Sequence, residues 1–182
     1  VIMKILKAIA NLYIYIIRGT PMLVQILIIY FGLGQMLRPT GFRWLNIGGT
    51  FTAGTVALSL NAGAYMAEIV RGGIEAVDKG QIEAARSLGL TYGKTMKKIV
   101  LPQALRTMLP SIINQFIISI KDTSLLSVIG LTELTNVGKT IAATKSAHMM
   151  VIYCFMACYY LFICTVLAQV SKVVEKRLSY GK

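Results

Sequence analysis

The sequence predicts an all-α membrane protein, and three observations carry that prediction. Hydrophobic residues make up 55% of the 182 residues, and the mean hydropathy is +0.67. Charged residues account for only 14%, against roughly 25% in globular proteins. The long apolar runs lack the alternation of apolar and polar residues, over about ten positions, that marks the strands of a membrane barrel. The chain is therefore expected to cross a lipid bilayer as helices.

Four apolar segments are long enough to span the bilayer, because about 20 helical residues cross a hydrocarbon core of roughly 30 Å. The spans are predicted at residues 14–37, 51–70, 109–129 and 149–170. The first span joins two apolar runs across Arg18. The second contains Glu68, the third contains the adjacent residues Lys121 and Asp122, and the fourth contains no charge. Together the spans form one transmembrane domain over residues 1–182.

The N-terminal residues 1–18 are predicted to form a helix on the membrane surface. Lys4, Lys7 and Asn11 lie among Ile and Leu residues there, which is an amphipathic pattern. The chain starts at Val1 rather than at Met, and no signal-peptide pattern follows. We therefore expect the natural protein to begin before this residue.

The cysteines do not predict a metal site. Cys154, Cys158 and Cys164 lie in the last predicted span, where no His or carboxylate is available to complete a metal coordination sphere. Cys154 and Cys158 are four residues apart and share a helix face. Free cysteines pack as small hydrophobic residues, so buried thiols are expected here.

The distribution of Lys and Arg predicts the orientation, because short cytoplasmic loops of membrane proteins are rich in these residues. Segments 1–18, 71–108 and 171–182 hold three, seven and four of them, 14 of the 19 in the sequence, whereas loops 38–50 and 130–148 hold four. The first three segments are therefore predicted to be cytoplasmic. Attraction to anionic lipid explains the basic C-terminal segment, so the net charge of +12 indicates no nucleic-acid partner.

The polar segment 71–108 begins with a predicted short helix. Asp78 or Gly80 can start this helix, which covers residues 81–88. Gly89 then suits the left-handed position that follows a helix C-terminus. The pattern predicts a helix followed by a glycine turn.

A second short helix is predicted at residues 92–101. Thr91 can cap its N-terminus. Pro102 is expected to end it, because proline lacks the backbone N–H and clashes with the preceding turn. Pro102 also suits the first position of the next helix, which leads into the third span.

The first of these helices has the features of a helix that docks into a groove. Ala84, Ala85 and Gly89 allow a partner backbone to approach closely, and Ile82 and Leu88 supply apolar anchors. An ordinary amphipathic linker helix is the alternative, because Ala and Glu are strong helix formers.

Polar residues in the middle of the spans are candidates for a substrate site. Lys121 and Asp122 lie roughly twelve residues into the third span, where a charge costs at least about 2.5–3.5 kcal/mol. In one interpretation, Asp122, Thr123, Ser124 and Asn61 bind substrate, and the Asp122 carboxylate takes an α-ammonium group or a cationic side chain. In the other, Lys121 and Asp122 pair with neighbouring helices and only stabilise the bundle.

Other polar residues lie within or beside the spans. Glu68 is close to the cytoplasmic end of its span and one turn before Arg71, which predicts an interfacial ion pair. Gln25, Tyr30 and Gln35 of the first span are candidates for lining a translocation path.

Several motifs resemble those of a known family. The segment IEAARSLGLTYGKTMKKIVLPQA, residues 82–104, resembles the EAA loop of permease subunits of ATP-binding-cassette importers. The matching residues are Glu83, Ala84, Ala85, Gly89, Ile99, Leu101 and Pro102. RGTPMLVQ at 18–25, ALSLNAGAYMAEIVRGGI at 57–74 and KDTSLLSVIGLTEL at 121–134 are similar to the subfamily that imports polar amino acids. The motifs occur in the family's order over nearly the whole chain.

This resemblance implies a multi-pass permease of a bacterial or archaeal cytoplasmic membrane. Such permeases usually have five spans, the first preceding the RGTP segment, so four are visible here. Two permease subunits, identical or homologous, work with an extracytoplasmic amino-acid-binding protein and two ATPase subunits, which bind the ATP; the permease needs no cofactor of its own. The EAA loop supplies a coupling helix that docks into the ATPase. The coupling residues carried over are Glu83, Ala84, Ala85, Gly89, Leu101 and Pro102.

Two other functions are considered. An ion-driven secondary transporter usually has two repeated halves with an ion site on broken helices, and no motif occurs twice here. A membrane scaffold or sensor would bind a partner through segment 71–108 without a substrate path. An enzyme is not expected, since the sequence has a single His, His148, and no glycine-rich phosphate loop followed by Lys-Ser or Lys-Thr.

Overall fold

The computed structural model describes residues 1–179, with only the backbone of Ser146 and of residues 177–179. The α-helices are α1 (Ile2–Gly19), α2 (Met22–Leu27), α3 (Gly34–Met36), α4 (Gly49–Glu75), α5 (Lys79–Ser87), α6 (Tyr92–Thr95), α7 (Leu101–Asp122), α8 (Leu134–Thr144) and α9 (Met149–Ser179). π-helical segments join α2 to α3 (Ile28–Leu33) and α6 to α7 (Met96–Val100), and a 3-10 helix (Thr123–Ile129) extends α7. No strand occurs within residues 1–179, and the all-α prediction is confirmed. Residues 180–182 of the basic C-terminal segment lie outside the described residues.

Two continuous helices are long and apolar enough to cross a membrane, Tyr92–Ile129 and Met149–Lys176. They contain the predicted third and fourth spans. A bent pair, Ile2–Gly19 with Met22–Met36, provides one more if it acts as a single span. α4 covers the predicted span 51–70 and is long enough to cross a membrane at 27 residues, but its sequence is less apolar than that of these helices. The count of four spans stays a prediction.

The expected continuous helix over residues 14–37 is wrong. The chain leaves the helical conformation at Thr20 (φ −123°, ψ 147°) and Pro21 (φ −65°, ψ 138°), and the axes of the flanking helices differ by 112°. The cause is Pro21, whose ring disfavours a helical conformation of the residue before it. Residues 14–17 therefore belong to α1 and not to the run 22–37.

α4 is packed among other helices, which explains its modest apolarity. The residues it buries are mostly small: Ala53, Gly54, Ala57, Asn61, Ala64 and Gly73. A Cβ atom at Gly73 would lie 3.0 Å from the Cβ of Met108 on α7, and one at Gly54 would lie 2.8 Å from a methyl carbon of Leu126. Small residues let membrane helices approach closely but add little hydropathy. The contact between α4 and α7 therefore depends on glycine.

Two apolar clusters hold the helices together. The first connects α2, α4 and the 3-10 helix after α7 through Ile26, Ala57, Leu126 and Ile129. The second connects the end of α4 with α7 and the π-helical segment before it through Val77, Val100, Ala104 and Met108. The second cluster also receives Ile82 of α5, so the polar segment is anchored to the spans by apolar contacts.

Pro102 does not end a helix, contrary to the prediction. Helical structure continues from Tyr92 to Ile129 over 38 residues. The π-helical segment Met96–Val100 lies directly before Pro102. A wider turn at this point accommodates a residue that lacks an N–H and whose ring would conflict with the carbonyl of Lys98. Pro102 is placed at the start of α7, which agrees with its predicted suitability for a first helical position.

The expected burial of the cysteines is wrong for two of the three. Cys154 and Cys158 are exposed and Cys164 is half-buried. Within the described chain, α9 packs against α7 and α8, and the rest of its apolar surface faces outward. The exposed thiols of Cys154 and Cys158 therefore do not belong to the core of this chain.

Candidate functional site

α5 is fixed at its N-terminal end by two hydrogen bonds. The Asp78 carboxylate accepts one from the backbone N–H of Gly80 at 2.6 Å, which satisfies a donor at the start of the helix. The Gln103 amide of α7 donates to the Gln81 side-chain oxygen at 2.6 Å. Of the two predicted starts, Asp78 and Gly80, Asp78 caps the helix, which begins at Lys79, and α5 is tied to α7.

The C-terminal end of α5 closes in the predicted glycine turn. Gly89 has φ +80°, a left-handed conformation that costs residues with a Cβ atom about 1–2 kcal/mol. Its N–H donates to the carbonyl of Arg86 at 3.0 Å, and the N–H of Leu90 donates to the carbonyl of Ala85 at 3.1 Å. These two bonds form a Schellman motif, so the turn after α5 is well defined.

The two sides of α5 have different environments. Ile82 packs against the second apolar cluster, and Ala85 is only 3% exposed. Glu83 and Ala84 are exposed, and Leu88 is 84% exposed. The expectation that Ile82 is an outward anchor and that Ala85 is open to a partner is therefore wrong. Since residues three and four apart share a face of a helix, Ile82 and Ala85 lie together on the inner side.

The outward residues form a surface that we call the outer face of α5: Glu83, Ala84, Leu88 and Gly89. All four are exposed in the chain. Leu101 and Pro102, the other residues predicted to take part in coupling, are also exposed and lie at the start of α7. Five of the six predicted coupling residues are thus accessible to a partner, and Ala85 is not.

A cluster of charges connects α1 to the C-terminal end of α4. Glu68 accepts hydrogen bonds from Arg71 at 2.7 and 3.0 Å and from Arg18 at 2.9 Å. Arg71 also contacts Glu75 at 3.3 Å. The predicted ion pair of Glu68 with Arg71 is confirmed. The sequence did not predict the contact of Arg18 with Glu68, because 50 residues separate the two. The bend at Pro21 lets α1 lie against α4.

The electrostatics of this cluster keep Arg71 charged. The hydrogen bond from Arg71 to Glu68, together with the negative charges of Glu68 and Glu75, raises the pKa of the guanidinium further above its already high value. Arg71 therefore does not titrate at any physiological pH, and the cluster is not a pH switch through this residue.

Around Asp122, the hydroxyl groups donate to backbone carbonyls while the carboxylate has no partner. Thr123 Oγ1 donates to the carbonyl of Ile120 and Ser124 Oγ to that of Lys121, each at 2.7 Å. Asp122 is half-buried and forms no hydrogen bond or ion pair with the residues that the structure describes. Lys121 is exposed. The described residues therefore give no support to the alternative in which Asp122 pairs with a neighbouring helix.

Asn61 belongs to a separate polar network. It is buried, and its amide nitrogen donates to the Gln25 side-chain oxygen at 2.9 Å. The Gln25 amide nitrogen donates to the carbonyls of Ile17 at 2.7 Å and Thr20 at 3.0 Å. Gln25 therefore binds the carbonyl groups at the end of α1 and also holds α2 against α4. Among the described residues, no hydrogen bond joins Asn61 to Asp122.

The sequence predicted Gln25 as a residue that lines a translocation path, and it did not predict that Gln25 joins α1, α2 and α4 by hydrogen bonds. A signal was present in the sequence, since a glutamine four residues after a helix-breaking proline can reach the unpaired carbonyls of the preceding helix. Its partner Asn61, 36 residues further along, follows only from the folded arrangement.

Comparison with known proteins decides the family. Residues 1–180 match the family described as the binding-protein-dependent transport system inner membrane component. The chain belongs to this family. The match covers α1 to α9. The exposed α5 and the residues Asp122, Thr123 and Ser124, which we call the Asp122 segment, therefore lie within one family domain. The resemblance to permeases of ATP-binding-cassette importers is confirmed, and neither the secondary transporter nor the scaffold is favoured.

Relatives in the family are amino acid permeases. The chain is 44% identical over 170 residues to the glutamine transport system permease protein of Escherichia coli K12, covering 93% of this chain and 74% of that protein. It is 40% identical over 170 residues to an arginine transport system permease protein of Bacillus subtilis, with the same coverage of the two chains. It is 41% identical over 173 residues to the L-cystine transport system permease protein of that organism, covering 95% and 70%.

Solved structures agree with the sequence comparison. A crystal structure of an amino acid ABC transporter with histidines matches with a TM-score of 0.86 and 40% identity, over 96% of this chain and 77% of that one. An inward-facing structure of the MetNI methionine ABC transporter matches with a TM-score of 0.65 over 95% and 76% of the two chains. At 18% identity, the second match supports the fold alone.

Proposed function

We propose that this permease is a subunit of an ATP-driven amino acid importer in a bacterial cytoplasmic membrane. It works with a separate ATPase, a second permease subunit and an extracytoplasmic binding protein. Relatives at 40–44% identity that carry glutamine, arginine and cystine support the amino acid substrate class. The outer face of α5, exposed on a helix that is anchored to the spans, is the observation that carries the proposal.

The attachment of α5 suits a mechanical role. Its inner side packs into the second apolar cluster through Ile82, and Gln81 is bonded to Gln103 of α7. The helix that contains α7 continues to Ile129. A force applied to α5 by an ATPase therefore acts on a helix that reaches the Asp122 segment.

The outer face of α5 suits insertion into a groove of the ATPase. Ala84 and Gly89 have no bulky side chain and allow close approach, and the exposed Leu88 supplies an apolar anchor. Glu83 adds a charge at the rim. With segment 71–108 on the cytoplasmic side, as the distribution of Lys and Arg indicates, this surface is accessible to a cytoplasmic ATPase.

The groups around Asp122 suit a positively charged ligand group. The hydroxyl protons of Thr123 and Ser124 are used in backbone hydrogen bonds, so these oxygens are left as acceptors. The Asp122 carboxylate is an acceptor as well. Three neighbouring acceptors favour the α-ammonium group or a cationic side chain of an amino acid. Asn61 contributes by holding α2 against α4, and its side-chain oxygen is a further acceptor.

The test of this function is transport by the complete complex in vesicles. The permease is purified with its ATPase and binding protein and reconstituted, and uptake of labelled glutamine, arginine and cystine is measured. We expect uptake of at least one of them to require ATP and the binding protein. Uptake that follows a proton or sodium gradient without ATP would contradict the proposal.

A further inference from the structure

A cleft with aromatic walls lies outside the sites described above. The loop 38–50 folds back against the end of the first apolar run, and the two border an open cleft with a volume of about 460 Å³. Residues that line the cleft include Tyr30, Phe31, Arg38, Phe42, Arg43 and Trp44. No carboxylate is among the described residues that line it.

Trp44 fixes the position of the loop. Its indole nitrogen donates to the backbone carbonyl of Tyr30 at 3.0 Å, and its ring meets that of Phe42 edge to face at 5.1 Å. Gly34 makes this approach possible, because a Cβ atom there would lie 3.1 Å from two atoms of the indole ring. The cleft is therefore built by specific contacts.

The cleft is open to its surroundings and follows the last turns of the first apolar run. Tyr30 precedes the end of α3 at Met36 by six residues, which is less than two helical turns. Phe31 and Leu45 at the cleft are 55% and 83% exposed. Trp and Tyr are enriched at the boundary between membrane and water. Aromatic walls and an exposed apolar rim are thus the composition expected at the level of the lipid headgroups.

The two arginines of the cleft have no counter-charge within the described chain. Neither Arg38 nor Arg43 forms an ion pair with the residues that the structure describes. The cleft between α1 and α4 is different, because the carboxylates of Glu68 and Glu75 both line it and form ion pairs with Arg18 and Arg71. Because two guanidinium groups without a counter-charge line one small cleft, we expect them to bind an anion from outside the chain.

We propose that this cleft binds the phosphate headgroup of an anionic membrane phospholipid. The guanidinium groups of Arg38 and Arg43 bind the phosphate, since planar guanidinium groups match the geometry of phosphate oxygens. Phe31 and Leu45 contact the first part of the acyl chains. The exposed apolar rim of the cleft fits a lipid better than the acidic surface of a soluble protein.

The single tryptophan of the sequence allows a direct test. Brominated phosphatidylglycerol is titrated into the detergent-purified complete transporter, and quenching of Trp44 fluorescence is measured. A Trp44→Phe transporter gives the signal from the partner subunits, which is subtracted. We expect saturable quenching, and a lipid concentration for half-quenching that rises about tenfold or more when Arg38→Gln and Arg43→Gln are combined.

Control variants separate charge at the cleft from charge in general. The combined variants Arg38→Lys and Arg43→Lys keep the charges and should retain part of the affinity. Lys145→Gln neutralises an exposed cation on the other predicted external loop and should leave quenching unchanged. Equal quenching of the wild-type and doubly neutralised transporters would overturn the proposal.

Two further outcomes would assign the cleft to another ligand. If inorganic phosphate shifts Trp44 emission at the same concentration as the lipid, the cleft is a site for free anions and not for lipid. If the doubly neutralised transporter binds lipid normally but loses stimulation by the binding protein, the arginines dock that protein instead. Uptake driven by ATP is measured separately, so failure of the lipid proposal leaves the proposed transport function intact.

Discussion

The side chains on the outer face of α5 have no partners among the residues that the structure describes, whereas Asn61, Thr123 and Ser124 in the predicted spans are already hydrogen-bonded. Glu83, Ala84 and Leu88 are exposed. By contrast, the Ser124 hydroxyl donates to its own helix and Asn61 is bonded to Gln25. The difference follows from the solvent around each region. Water can hydrogen-bond the exposed groups of a surface that has no protein partner, but an unbonded polar group in lipid costs several kcal/mol.

This comparison singles out Asp122. Among the polar side chains proposed for the substrate site, its carboxylate is the one group without a partner in the described part of the chain. A charge kept in that state within a predicted span is costly. Changes on the outer face of α5 are therefore expected to affect assembly with the ATPase. Changes at Asp122 should affect substrate affinity, and changes at Asn61 should affect stability.

The largest expected effect comes from two adjacent alanines of α5. Ala85→Arg places an unpaired charge where the side chain is 3% exposed, and we expect a loss of stability of about 3–5 kcal/mol. Ala84→Arg adds the same group at an exposed position and should leave stability unchanged while abolishing co-purification of the ATPase. Melting curves of the permease and pull-down of the ATPase measure both effects.

An exposed alanine on α8 supplies the matched control for these variants. Ala143→Arg adds an arginine on an exposed helical position outside segment 71–108 and should change neither stability nor ATPase binding. A fully bound ATPase in the Ala84→Arg variant would remove the coupling role from the outer face of α5.

The second expected effect concerns substrate affinity. Asp122→Asn keeps the shape of the side chain but removes its charge. Loss of a charge-assisted hydrogen bond costs about 1.5–3 kcal/mol, or roughly ten- to a hundredfold in affinity. The concentration dependence of uptake should change by that factor. Assembly and thermal stability should be unaffected, because the carboxylate has no partner in the described chain.

The adjacent residue serves as the control for Asp122. Lys121→Gln also changes the charge by one unit, but Lys121 is exposed, and we expect no loss of affinity. A lower melting temperature of the Asp122→Asn transporter with unchanged affinity would show that the carboxylate stabilises the bundle instead. If Asp122 binds the side chain rather than the α-ammonium group, uptake of arginine should suffer more than uptake of glutamine.

The third expected effect tests the buried pair of Gln25 and Asn61. Asn61→Leu leaves the Gln25 oxygen without its donor, and an unsatisfied buried group costs about 1–3 kcal/mol. Replacing both residues by Leu should cost less than the sum of the two single changes, because the pair is removed together. Melting temperatures of the three variants measure this coupling. Additive losses would mean that the bond between the two amides does not contribute.

Local signals in the sequence predicted several features correctly. Asp78 and Gly89 delimit α5 as expected, and Glu68 pairs with Arg71 one turn later. Each of these depends on residues within about one or two helical turns, where capping rules and helix periodicity apply.

Features that depend on the packing of distant segments were not predicted. The side of α5 that faces inward is set by the cluster around Val100, so the sequence did not distinguish Ala84 from Ala85. The π-helical segment before Pro102 allows the helix to continue where a local rule predicted an end. The contact of Arg18 with Glu68 requires the bend at Pro21. In the first and third cases the deciding contact is remote in sequence, whereas the π-helical segment lies next to Pro102 and is a change of helix type that the local proline rule does not describe.

The smallest expected effect separates the turn of α5 from its surface. At Gly89 a Cβ atom would have no neighbour within 4 Å, so Gly89→Ala adds no steric conflict inside the chain. Its cost is the left-handed backbone conformation, about 1–2 kcal/mol, and the melting temperature should fall slightly. If the added methyl group also weakens ATPase binding, the partner approaches the backbone at Gly89 itself. If binding is retained while Ala84→Arg abolishes it, the groove contacts the middle of α5 and not its C-terminal turn.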